Sequence, residues 1–96
     1  MIHGKITFTN PRQPLRRVHA WVITGTDPQL VVSCAERFDE ESLDWLERAV
    51  SSWGVRSEQG RVATSISNQH ALRYVQYYRT DKAAKRALVK LFKAVN

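Results

Sequence analysis

The sequence predicts an α+β domain: a three- or four-stranded antiparallel sheet packed against a helix over residues 39–53, with one or two further helices after it. Three observations predict this class. Runs within residues 2–38 alternate apolar and polar side chains, the period of two of half-buried strands. Residues 39–53 carry apolar side chains at helical spacing between a capping acid and a glycine, and residues 81–95 repeat that spacing with a basic opposite face. The chain has 96 residues, 43% of them hydrophobic and 25% charged, which suits one core, so 1–96 is expected to be a single domain.

The first strand is IHGKITF, in which Ile2, Ile6 and Phe8 alternate with His3, Lys5 and Thr7. NPRQP breaks it, because prolines supply no ladder donors. In LRRVHAWVIT, Leu15, His19, Trp21 and Ile23 share one side and Val18, Ala20 and Val22 the other. Its centre is apolar on both sides, which places this strand inside the sheet. After a GTDP turn, QLVVSCAERF turns Leu30, Val32, Cys34 and Phe38 inward. Short turns join the three runs, so consecutive strands are expected to be antiparallel.

FDEESLDWLERAVSSWGV carries agreeing helix signals. Asp39 is placed to cap, Glu40 and Glu41 favour the positive end of the helix dipole, and Phe38 is positioned to staple onto Leu43. Leu43, Leu46, Val50 and Trp53 form the packing face; Gly54 supplies the stop and Val55 folds back. Glu40, Asp44 and Glu47 form an outer acidic stripe, which is either plain solvated surface or a contact for a basic partner. Trp45 lies beside the packing face and either widens the core contact or emerges as an interface anchor.

RSEQG at 56–60 reads as a loop, and RVATSIS as a short fourth strand through Val62, Thr64 and Ile66. HALRYVQYY has two readings: a strand reached by a hairpin through SNQH, or a helix capped by Ser67 or Asn68 with Ala71, Tyr74, Val75 and Tyr78 inward. The helical reading is preferred. Thr80 and Asp81 then cap a final helix whose inward face is Ala84, Leu88, Leu91, Phe92 and Val95. Lys82, Lys85, Arg86, Lys90 and Lys93 lie opposite. Lys82, Arg86, Lys90 and Lys93 make one stripe about 16 Å long at the helical rise.

The formal net charge is +6, and all of the excess lies late in the chain. Residues 61–96 hold eight Lys or Arg against Asp81 alone, whereas residues 1–60 hold seven against eight acids. Such a field attracts a polyanion or an acidic protein. Nucleic acid is the leading expectation, because Arg73, Tyr77 and Arg79 precede the basic helix and rings can stack on unpaired bases while cations neutralise phosphates. The expected nucleic-acid-binding set is Arg73, Tyr77, Arg79, Lys82, Lys85, Arg86, Lys90 and Lys93, in a non-enzymatic accessory or regulatory protein acting on DNA or RNA. The alternative is an adaptor or inhibitor whose charged helix faces meet an acidic or basic protein partner. A small metal-independent ribonuclease using His70, Tyr77 and Arg73 is a third expectation.

No catalytic residues, metal site or cofactor are assigned. The three histidines are far apart in sequence, the four glycines are isolated, and no ligand pair has metal spacing. Cys34, the one cysteine, reads as a core residue and fits a reducing cytoplasm. MIHGKITFTN has no basic segment followed by an apolar run, and no stretch approaches the roughly 18 apolar residues of a membrane span. A soluble, unprocessed cytoplasmic protein without a membrane partner is therefore expected. Unpaired strand edges make a homodimer compatible with the pattern.

Overall fold

The computed structural model describes residues 1–10, 13–34, 40–63 and 70–95. The Asp39 cap, the Phe38 staple, the Ser67 and Asn68 caps, and Thr64 and Ile66 of the fourth run all fall outside the described residues. Among the described residues there are five strands and two helices: β1 Ile2–Asn10, β2 Gln13–Ile23, β3 Gln29–Cys34, α1 Glu40–Val50, β4 Gly54–Ala63, β5 His70–Tyr78 and α2 Asp81–Val95. The sheet is antiparallel throughout, in the order β1-β2-β3-β5-β4, with β1 and β4 at its edges. The α+β class, the sheet packed against a helix and the amphipathic basic final helix are as the sequence predicts.

β2 lies inside the sheet, with Val18, Ala20 and Val22 turned to the helices beside Leu30, Val32 and Cys34 of β3. In β1 the alternation does not carry through. His3 pairs with Val22 and Ile6 with Ala20, so Gly4 and Lys5 together oppose Trp21 as a β-bulge. The extra residue reverses the parity of the strand: Ile6 and Phe8 pack on the core, whereas Ile2 pairs with Ile23 and is 66% exposed. Gly4 adopts φ +57°, and a Cβ there would stand 2.9 Å from Leu88 Cδ2, so both backbone and packing require glycine.

The second half of the sheet differs from the preferred reading. Residues 56–60 belong to β4 rather than to a loop, and HALRYVQYY is strand β5 rather than a helix, so the sheet has five strands. β5 inserts between β3 and β4, where it satisfies the outer backbone groups of β3 from Gln29 to Cys34. With a period of two, Tyr74, Gln76 and Tyr78 face the helices and Arg73, Val75 and Tyr77 face the other way.

Gln76 is a buried polar side chain, only 4% exposed, and its amide is well partnered. Its Nε2 donates to the Arg56 carbonyl at 2.9 Å, and its Oε1 accepts from the Tyr74 hydroxyl at 3.0 Å. The Tyr78 hydroxyl donates to the Val50 carbonyl, one of the acceptors that the end of α1 leaves unused by its own helix.

α1 packs through Leu46 and Val50, with Leu43, Trp45 and Ala49 partly buried against the same core. Trp45 thus widens the core contact. The helix ends at Val50, before Trp53, and Trp53 leaves the core: it is 73% exposed with φ 66°. Thr80 caps α2, its Oγ1 accepting from Ala83 N–H at 3.1 Å, while Asp81 Oδ1 accepts from Gly25 N–H at 3.1 Å. Ala84, Ala87, Leu88 and Leu91 are buried and Val95 packs beside them; Phe92, expected inward, is 50% exposed. α2 lies across β1, β2, β3 and β5 and alongside α1, so both described helices pack on the same face of the sheet. Among the described residues no helix is long and apolar enough to cross a membrane.

Candidate functional site

The outer side of α2 is strongly cationic. Lys82, Lys85, Arg86, Lys90 and Lys93 are all exposed, against one acid, Asp81, on the same helix. None of the five forms an ion pair with a described residue; the ion pairs there belong to Arg56. The helical spacing that selects Ala84, Ala87, Leu88 and Leu91 for the core is what gathers these cations on the opposite side. α1 is the reverse, with Glu40, Glu41, Asp44 and Glu47 exposed, so the helical layer is divided into a basic and an acidic half.

A cleft of about 200 Å³ opens between the end of α1 and the middle of α2. It is lined by Ala49, Val50, Ser52 and Trp53 from the end of α1 and the turn after it, and by Ala83, Arg86, Ala87 and Lys90 of α2. No described carboxylate lines it. Lys90 Nζ donates to Ser52 Oγ at 3.3 Å, a bond between two of the lining residues.

Trp53 reaches this position through the α1–β4 junction. Ser51 N–H donates to the Glu47 carbonyl at 2.9 Å and Gly54 N–H to the Ser51 carbonyl at 2.8 Å, closing the helix with Trp53 as its left-handed residue. A left-handed conformation on a bulky side chain costs about 1–3 kcal/mol. Glycine commonly takes this position, but Gly54 is committed elsewhere: a Cβ on it would overlap the Gln76 amide. The spacing that includes Trp53 in the packing face gives no sign of this exit. The available signal is Ser51-Ser52, two weak helix formers ahead of the glycine.

Arg73 and Tyr77 of the expected binding set are on the other side of the sheet, away from α2. There the Arg73 guanidinium lies 6.0 Å from the Trp21 ring centroid. Arg56 stacks 3.8 Å from the Tyr77 centroid, and the Tyr77 hydroxyl donates to Glu58 Oε2 at 3.1 Å. Desolvation and this carboxylate hold the Tyr77 phenol above its usual range. One face of Tyr77 is therefore already covered by a cation. Arg79 is exposed in the bend before α2. The eight expected residues thus divide into a helix group, Lys82, Lys85, Arg86, Lys90 and Lys93, and a sheet-face pair, Arg73 and Tyr77, with Arg79 between the two elements.

His19 Nδ1 and Thr7 Oγ1 share a hydrogen bond of 2.9 Å on the face of the sheet opposite the described helices. The side chain of His70, on which the ribonuclease reading rests, lies outside the described residues. Among the described residues no three His, Cys, Asp or Glu side chains come together as a metal site, and Cys34 is buried. Comparison with protein-family models, curated proteins and solved structures finds no match to this chain.

Proposed function

We propose that this chain is a non-enzymatic nucleic-acid-binding accessory or regulatory protein that engages phosphates through the outer side of α2. The observation that carries the reading is the group Lys82, Lys85, Arg86, Lys90 and Lys93: five exposed cations on one helix, none neutralised by a described acid. Each phosphate they meet releases a condensed counterion, so affinity falls steeply with salt. The acidic outer row of α1 repels the same strand and confines it to the α2 side. A titration of labelled DNA and RNA, single- and double-stranded, across a salt series tests this. Salt-sensitive binding that collapses in the folded Lys82→Glu/Arg86→Glu/Lys90→Glu variant is the expected result, and absence of binding at low salt removes the reading.

A protein-binding adaptor is the second reading. It is favoured by the exposed row of Glu40, Glu41, Asp44 and Glu47 on α1, a surface that suits a basic protein and has no role toward phosphate. Binding lost on reversing these acids, and retained in the α2 variant, distinguishes the two readings. A second copy of the chain is a partner of the same class, because the acidic and basic halves of the helical layer are complementary.

A further inference from the structure

Resting on the phosphate-binding reading, we infer that the cleft between α1 and α2 takes an unpaired nucleobase, so that the ligand is single-stranded rather than duplex nucleic acid. Trp53 is the stacking platform. Among the described residues it is the most exposed large apolar side chain after Met1, it borders the cleft, and its backbone lies in the turn that closes α1. Ala49, Val50, Ala83 and Ala87 give the cleft an apolar lining of small side chains, which suits the face of a planar ring.

Charge selects the occupant. Arg86 and Lys90 line the cleft and no described carboxylate does, so a ring that enters brings its own phosphates against two cations continuous with the rest of the α2 stripe. Size agrees, since about 200 Å³ lies below the roughly 300 Å³ at which drug-sized sites begin and leaves room for one ring system. A base in a duplex is stacked on both sides and reaches Trp53 only after extrusion, which costs unstacking energy. A single strand presents its bases freely, and stacking on an aromatic tolerates any sequence.

The experiment is fluorescence anisotropy with a labelled oligothymidine strand, the same strand with abasic sugars replacing its bases, and a duplex of the same length. The proteins are the wild type, Trp53→Gly, Trp53→Phe and Lys82→Glu/Arg86→Glu/Lys90→Glu, each checked for folding by circular dichroism. Glycine accepts the backbone at position 53, so loss of the ring is separated from loss of structure. The wild type is expected to favour the base-bearing strand over the abasic strand roughly tenfold. Trp53→Gly should abolish that preference without changing abasic affinity, Trp53→Phe should keep part of it, and the charge variant should lose all three ligands. If Trp53→Gly binds the base-bearing strand like the wild type, stacking is overturned while the phosphate reading stands. If the wild type binds none of the three, both readings fall. An acidic aromatic peptide that occupies the cleft where no oligonucleotide does would assign it to a protein partner and overturn the inference.

Discussion

Gln76 occupies the space that a side chain on Gly54 would need. Its amide lies where the Cβ would stand, and from there it donates to Arg56 O and accepts from the Tyr74 hydroxyl. A glycine expected as a helix stop is used as packing space, and the left-handed residue at the end of α1 is its neighbour Trp53.

Gly54→Ala should therefore destabilise the fold by about 2 kcal/mol, the usual cost of overpacking a filled interior. Urea denaturation measures this as a lowered midpoint with unchanged slope. A second substitution, Gln76→Ala, should recover part of the loss in a double-mutant cycle, because the two sites share one volume. Strict additivity of the two changes would refute the coupling.

Trp53→Gly should raise stability by about 1 kcal/mol, relief of left-handed strain outweighing the entropy of the new glycine. The ring is 73% exposed, so little burial is lost. A higher denaturation midpoint together with weaker strand binding is the signature of a residue kept for function at a cost in stability. A lower midpoint would mean that the ring packs more than its exposure indicates.

Tyr78→Phe should cost about 1–2 kcal/mol by leaving the Val50 carbonyl unsatisfied at the end of α1. Alkaline pH acts on the same region. Burial pushes the Tyr78 phenol up, and burial with the nearby Glu47 carboxylate pushes Tyr74 up to about 12, against a weaker opposite effect of the Ser57 hydroxyl. Both phenols favour the neutral form in the folded chain. Their contribution is complete below about pH 10, where the unfolded chain keeps its own phenols protonated, and declines as pH rises through the raised folded values. Denaturation midpoints measured from neutral to strongly alkaline pH should fall above about pH 10. The fall should be shallower in Tyr74→Phe/Tyr78→Phe.

Arg73→Glu should leave the dependence of binding on salt nearly unchanged, because Arg73 faces away from α2. Five phosphate contacts on a single strand give a slope of log affinity against log salt of about −3.5. Removing Lys82, Arg86 and Lys90 should reduce its magnitude by about 2. A slope that falls as far for Arg73→Glu would move the phosphate surface to the sheet.

Periodicity made the first three strands, their antiparallel order, the interior position of β2, α1 and the basic amphipathic α2 legible in the chain. Each rests on the geometry of a continuous run, in which Val18, Ala20 and Val22, or Ala84, Leu88 and Leu91, repeat at the spacing of their own element. The cationic group of the candidate site was legible for the same reason.

Three features were decided only by tertiary structure. HALRYVQYY fits a helical face as well as a strand, and it is a strand because β3 and β4 pair with its backbone on both sides. Ile2 leaves the core because the bulge at Gly4 and Lys5 reverses the parity of β1, where α2 approaches so closely that Leu88 leaves no room for a Cβ on Gly4. Trp53 leaves the core because α1 ends at Val50 and the chain turns through a left-handed residue 53 into β4, whose first residue, Gly54, pairs with Tyr78 of β5. Local spacing determines which side of an element is apolar; which backbone it pairs with, and where two distant side chains compete for one volume, depends on contacts that no local pattern encodes.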